Sequence, residues 1–476
     1  MQLTLALCLW LAAGGTIARA ASPPPAAQWF AADPPADGSF VGADGSGFWT
    51  QNGSHYRLDG KRDLALKLPA ALHHRLGFAR SGPDGPVVAG SVEEGTGAAR
   101  VAAYDPSGNE RWSLSIGGDY GKDGNTPNSA GTDGLFVNPN GDVVLAGHFS
   151  GCVRFAGGGK GKRTCVDEKA AQRFDNGSCD PCTQAFVAVY DARGKLRSVF
   201  APPGYPASFF AAAPDGRIAL AGGWDASLDL DPDPDPARAA VVNQPGNPKP
   251  RRGDLQAFWS IFDGRNRMQW LGGKALTTPR GGSAYPIGTA FDGDGALVTV
   301  VHVQLGRRPR PCAVTDGTLT TDVRAEHGDH VVVTLDAKDA KDAKKGAPAA
   351  DLLAADKSPA SSNAPTLRLL SSPTGGLFAF GALVPPVGTR VIEPPQPHRR
   401  QLVLVGLRGT ARGLAIGVPE ELFVPEAVLV EKDGVCVAFT LVAQHEVASG
   451  GGTITLGEPH VVGQTSPPTR AIGCFR

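Results

Sequence analysis

Asn138-Pro139-Asn140-Gly141-Asp142-Val143-Val144-Leu145-Ala146-Gly147 reads as a tight turn followed by a strand of small apolar residues. An Asn-Gly pair supplies the positive φ angles of a two-residue type I′ hairpin turn, so antiparallel strands are expected on both sides. The arrangement recurs upstream as Ala43-Asp44-Gly45 before 47–50 and as Pro83-Asp84-Gly85 before 86–90. Downstream it recurs as Pro214-Asp215-Gly216, Asp292-Gly293-Asp294-Gly295, Pro373-Thr374-Gly375 and Lys432-Asp433-Gly434, each ahead of an apolar run. That makes seven copies.

Several copies continue into a second pair of runs. Val101-Ala102-Ala103-Tyr104-Asp105 leads through Ser107-Gly108 to Trp112. Phe186 to Asp191 leads through Arg193-Gly194 to Leu196, and Phe258 to Asp263 through Gly264 to Trp270. Each unit therefore holds four antiparallel strands, which is one blade of a propeller. The reading is an all-β, single seven-bladed β-propeller with four-stranded antiparallel blades. The last unit runs out of chain after a third strand at 470–475. Gln28-Trp29-Phe30-Ala31-Ala32 is the candidate fourth strand, closing the ring by pairing the N- and C-terminal segments and removing both sheet edges. The alternative is a fourth strand of the last unit's own, near 452–456.

The first two turn glycines lie 40 residues apart, near the length of a minimal blade, and the next intervals are 56, 75 and 79. The surplus is assigned to loop insertions at 157–181, 231–253 and 306–327, between second and third strands, and at 336–365. Insertions of this kind decorate one face of a repeat array and often form its binding face.

Composition agrees. Gly and Pro supply 63 and 40 of 476 residues, well above their average share of roughly one in eight, while 41% of residues are hydrophobic. Lys+Arg and Asp+Glu are both 46, which argues against a nucleic-acid partner, since such proteins concentrate positive charge. Leu3 to Ala13 is apolar and Ala18-Arg19-Ala20 has the small-x-small form of a signal-peptidase site. Residues 1–20 are read as a signal peptide, 21–37 as a Pro-rich leader containing the closing strand, and 38–476 as the propeller. No other stretch is long and apolar enough to span a membrane. The expected protein is exported, periplasmic or extracellular, and monomeric.

Units 131–200 and 207–273 resemble the bacterial seven-bladed propeller repeat family known as SBBP. The shared pattern is Asn138-Pro139-Asn140-Gly141 with its following strand to Phe149, then Phe155-Ala156-Gly157-Gly158, then Ala185 to Asp191. The likeness extends over 76–273 and fades after Gly306. It implies an exported propeller and no defined reaction.

Export makes disulfides the default for cysteine. The candidates are Cys152 with Cys165, Cys179 with Cys182 or nearby alternatives, and Cys436 with Cys474, leaving Cys312 over. A four-cysteine zinc site at Cys152, Cys165, Cys179 and Cys182 is the competing reading, weakened by having one Cys-x-x-Cys pair where zinc ribbons use two. Asp229, Asp231, Asp233 and Asp235 alternate along an extended segment and are the candidate calcium ligands, with a solvated acidic insertion as the plain alternative. Asp105, Gly108 and Trp112 match the Asp-x-x-Gly-x-x-x-Trp docking pattern of quinoprotein propellers, and equally a turn with a packed aromatic. No catalytic or cofactor-binding residue stands out. The functional expectation is a binding or scaffold module for a protein, glycan or small-molecule ligand. The alternative is a glycan-acting hydrolase or lyase with paired carboxylates at the channel.

Overall fold

The computed structural model describes residues 28–32, 38–69, 72, 76–92, 98–118, 129–156, 162–165, 183–202, 207–224, 227–231, 239–243, 255–265, 268–278, 282–292, 295–304, 312–315, 320–323, 330–335, 350–353, 368–372, 377–381, 390–391, 401–406, 414–419, 423–431, 434–441, 445–449, 452–456 and 469–475. The signal-peptide segment, Cys179, Cys182, Asp233, Asp235 and most of the four expected insertions lie outside these residues.

Strands account for nearly all of the regular structure described. They pair into antiparallel meanders. Sheet one comprises Phe40–Ala43, Gly47–Thr50, Ser54–Arg57 and Arg62–Ala65, and sheet two Leu76–Gly82, Gly85–Val92, Ala98–Tyr104 and Glu110–Gly118. Sheet three comprises Ala130–Val137, Val143–Ser150, Thr183–Tyr190 and Leu196–Phe200, and sheet four Ala207–Ala212, Arg217–Trp224, Gln256–Asp263 and Gln269–Thr277. Sheet five comprises Ser283–Phe291, Leu297–Gln304, His330–Leu335 and Ala350–Leu353, and sheet six Arg368–Ser371, Leu377–Gly381, Gln401–Gly406 and Leu414–Pro419. Sheet seven runs Phe423–Glu431, Gly434–Leu441, Thr469–Phe475 and then Gln28–Ala31.

The first strand of each sheet touches the first strand of the next, and that of sheet seven touches that of sheet one. The first strands therefore surround an axis and the sheets radiate from it, which is the propeller arrangement. The described cores lie between sheets. One joins Val87, Ala103 and Ile116 of sheet two to Leu135, Phe149 and Phe186 of sheet three. Another joins Val144 and Val187 to Ile218, Leu220 and Phe258. Middle strands are thus buried on both faces: Gln256–Asp263 is buried at every residue but the last. The sequence meets this with short side chains in some strands, as at Ala99, Val101, Ala102 and Ala103, and with interlocking large ones in others, as at Phe258, Trp259 and Phe262.

Three expectations are corrected. First, sheets one to four and seven have described side chains on all four meander strands. At the level of side-chain packing five complete blades are established, against the seven expected. In sheets five and six the outer strands are described by backbone pairing alone. Second, the sheets are not uniformly four-stranded. The hairpin Cys152–Phe155 and Lys162–Cys165 leaves sheet three after its second strand and adds to the outer strand of sheet two, with Val153 opposite Gly118. The hairpin Cys312–Thr315 and Thr320–Val323 leaves sheet five and adds to sheet four, with Ala275 opposite Thr315. Arg390–Val391 joins sheet six in parallel with Leu414 and Ala415. An outer strand left bare is an open edge, and these hairpins cover it.

Third, the turns at Gly141 and Gly216 are not type I′. Gly141 N–H donates to Asn138 O and Asn138 N–H to Asp142 O, both at 2.8 Å. Gly141 has φ 83°, and Met268 is the one described non-glycine residue with positive φ. Asn140 is therefore outside the left-handed region that a type I′ turn demands of both central residues. The turn is a type I turn closed by a left-handed glycine, the three-residue hairpin. Ala213 to Arg217 and Asp292 to Ala296 repeat the same two bonds.

Ring closure follows the N-terminal reading. Trp29 lies opposite Gly473 and Phe30 opposite Ile472. Gly452–Leu456 pairs instead with His445–Ser449 in a separate hairpin.

Candidate functional site

In six sheets the first strand carries a bulge at the same place, marked by an extra residue: Val41, Gly77, Asp133, Ser208, Ile287 and Glu426. A bulge re-aims the side chain it carries, and on the innermost strands this decides what lines the channel. Two of the six are carboxylates, and each has a base. Asp133 Oδ2 lies 2.7 Å from His148 Nδ1. That hydrogen bond raises the imidazole pKa, with burial opposing it and the charge of Asp133 adding to it. Glu426 Oε2 accepts the Phe40 N–H at 2.8 Å, tying sheet seven to sheet one, and Arg470 Nε stands 3.7 Å away. The two carboxylates sit on sheets that are not neighbours.

On the face where second strands run into third strands, a hollow of about 400 Å³ opens between sheets four and five. Phe209, Leu255, Tyr285, Pro286 and Ile287 line it, with Ser208 and Gly223. Tyr285 is 37% exposed and its ring centroid is 5.0 Å from that of His302. The disulfide-bearing hairpin and the Cys312 hairpin arise on this same face.

A second polar cluster lies at the opposite, turn-bearing face, buried between sheets one and two. Asp44, in the first turn, accepts the Trp49 indole N–H at 2.7 Å, the Ser46 N–H at 2.8 Å and the Ser46 hydroxyl at 2.7 Å, as well as the Ser81 hydroxyl from sheet two. His55 stands between two carboxylates, with Nδ1 2.6 Å from Asp63 and Nε2 3.4 Å from Asp44. Burial works against both charges. For Asp44 the hydrogen bond and charge of His55, then Ser81 and Ser46, outweigh it and hold the carboxyl well below its usual range. For His55, Asp44 and then Asp63 outweigh it and raise the pKa. Asp44 and His55 are buried while Asp63 is exposed, and the cluster joins two sheets. The sequence reading passed over it. Its signal was Ser54-His55-Tyr56 following the Asp44-containing turn, a histidine in a short strand between two buried neighbours.

Cys152 and Cys165 form a disulfide across their hairpin, and Cys436 and Cys474 form one across sheet seven, where they lie directly opposite each other. Asp229 Oδ1 accepts the N–H groups of Asp231 at 3.1 Å and Ala240 at 2.8 Å, holding the hairpin of Ser227–Asp229 and Val241–Asn243. The structure thus gives this carboxylate a turn-holding role. No group of three or more metal-ligating side chains occurs among the described residues. Trp112 docks on the neighbouring sheet: its indole N–H donates to Ala192 O at 3.0 Å.

No family model and no curated protein matches the chain, so the finer SBBP-like repeat type gains no support there. Among solved structures, the Dos1 propeller is similar over 95% of this chain and 94% of its own, at 9% identity and a TM-score of 0.37. The C-terminal WD40 domain of Sif2 gives the same identity and TM-score, covering 95% of this chain and 96% of that one. The Synechocystis apocarotenoid oxygenase is similar over 81% of this chain and 69% of its own, at 11% identity and a TM-score of 0.33. The fold assignment rests on the sheet topology itself.

Proposed function

We propose that the chain is an exported, SBBP-like propeller whose insertion-bearing face binds a protein, glycan or small-molecule ligand. The observation that carries this reading is the shared location of the inserted hairpins and the apolar hollow at Phe209 and Tyr285. Hairpins fixed to a neighbouring sheet hold a binding surface in place, and preorganisation of that kind lowers the cost of association. Export is supported by the two disulfides, and among the described residues no helix is long and apolar enough to cross a membrane.

The test is a glycan and peptide array probed with the full chain and with Tyr285→Ala. Saturable binding that the substitution weakens supports the reading; unchanged binding moves the site elsewhere on the ring. Release of reducing sugar from any bound glycan favours the hydrolase alternative. Exported material is expected to begin at Ala21, and N-terminal sequencing that finds Met1 rejects export.

A further inference from the structure

On the turn-bearing face the chain fills the groove between sheets two and three with its own tryptophan. Trp112 bonds Ala192 O, and its ring lies on Gly194, whose φ is 78° and where a Cβ would come within 2.8 Å of the ring. Arg111 beside it reaches Asp84 O at 3.2 Å and Ala192 O at 3.4 Å. Val87, Ala103 and Val143 belong to the buried cluster against which the indole packs.

The pairing registers superimpose sheet three on sheet two position by position. Ala103 opposite Trp112 and Tyr104 opposite Glu110 become Val189 opposite Ser198 and Tyr190 opposite Leu196, with the same bulge between. Ser198 therefore stands where Trp112 stands one sheet earlier, and Arg197 stands for Arg111. By the same registers Val144, Val189 and Ile218 replace Val87, Ala103 and Val143. Tyr190 lies opposite Leu196 and Phe262 opposite Trp270, so the turn of sheet four is two residues longer; its Gly264 lines the groove between sheets three and four. The ring is missing and the apolar floor beneath it is kept. What results is a groove of about 510 Å³ between sheets three and four, with Val144, Val189 and Ile218 among its lining and Ser198, Arg197 and Arg265 around them. Arg265 lies along Gly216, where a Cβ would meet its Nε at 2.5 Å, so the glycine makes room for the guanidinium. Arg197 pairs with Asp142 at 3.1 Å.

We propose that this groove binds a planar aromatic small molecule bearing an N–H donor and a carboxylate, an indole carboxylate being the simplest. The ring takes the place Trp112 takes next door, the N–H is directed to Gly264 O, and the carboxylate meets Arg265, whose planar fork suits it. This site is on the face opposite the one assigned above, so each stands or falls alone.

The probe is indole-3-acetate, titrated calorimetrically into the full chain. One saturable site is expected. Ser198→Trp supplies the missing ring from the chain itself and is expected to abolish binding while leaving the melting temperature equal or higher. Loss of the N–H in 1-methylindole-3-acetate is expected to weaken binding about fivefold, the scale of one hydrogen bond. Arg265→Ala is expected to remove the advantage of indole-3-acetate over indole. Trp112→Gly is expected to add a second site. The proposal is overturned if the wild-type chain shows no saturable binding at millimolar indole-3-acetate, or if Ser198→Trp folds and binds as the wild type does.

Discussion

At the scale of single residues, the most consequential group is one the repeat pattern does not announce. His55 stands between Asp44 and Asp63 at a junction of two sheets. Its raised pKa fixes the sign of a pH effect. A group with a folded pKa above its unfolded value contributes stability that is fully present below the unfolded value, near 6.5, and is lost as pH rises through the folded one. Asp44, with its pKa depressed, contributes above its unfolded value and loses that contribution as pH falls below about 4. His55→Asn is therefore expected to destabilise the chain most near pH 6, by roughly 3 kcal/mol, since it leaves a buried carboxylate short of its counter-charge. The deficit is expected to shrink toward pH 9. Thermal melts of both proteins across pH 5 to pH 9 measure this; a gap that widens at alkaline pH contradicts the assignment.

At the scale of elements, sequence and structure agree where periodicity and turn chemistry act together. The turns at Gly141, Gly216 and Gly295 are where the Asn-Gly and Asp-Gly pairs place them, and the apolar runs behind them are the second strands. The turn type was misjudged because Asn-Gly suits both a type I′ turn and a left-handed closing glycine; the number of loop residues separates the two, and sequence alone does not give it. The first-strand bulges at Asp133 and Glu426 were invisible for a similar reason, since a bulge changes register without changing the apolar pattern. The inserted hairpins were located by their length, but their attachment to the preceding sheet depends on tertiary contacts. The Cys436–Cys474 pairing was legible, because adjacent antiparallel strands oppose residues closely enough for a disulfide. It has a measurable consequence. The bond closes a separation of 38 residues, for which the chain-entropy account gives about 3–4 kcal/mol. The double variant Cys436→Ser, Cys474→Ser is expected to lose about that much in denaturant unfolding. Amide exchange is also expected to quicken in Thr469–Phe475 and in Gln28–Ala31, which pairs with it. Equal stability of the reduced and oxidised proteins would remove the structural role given to this bond.

At the scale of the whole molecule, the ring is held shut by one short strand. Gln28–Ala31 is the outer strand of a sheet whose other three strands come from the far end of the sequence. Closing a ring by shared strands ties the chain ends together, so a disturbance there acts on the entire fold. Trp29 is the main contact: it is 3% exposed, with ring centroids 5.4 Å from those of both Phe439 and Phe475. Its indole also lies over Gly473, where a Cβ would come within 2.8 Å, so the last strand leaves space for this ring. Trp29→Ala removes a large buried aromatic, a change that commonly costs about 3–5 kcal/mol. It also loosens the cover over the edge of Thr469–Phe475, and a bare strand edge recruits other chains. The expected phenotype is therefore double: a lower melting temperature, and association that grows with protein concentration in analytical ultracentrifugation. Tyr285→Ala, on the opposite side of the ring's architecture from this seam, serves as the comparison and is expected to stay monodisperse. If a chain beginning at residue 38 melts like the full chain and sediments as a single species, the closing strand contributes nothing and the ring holds without it.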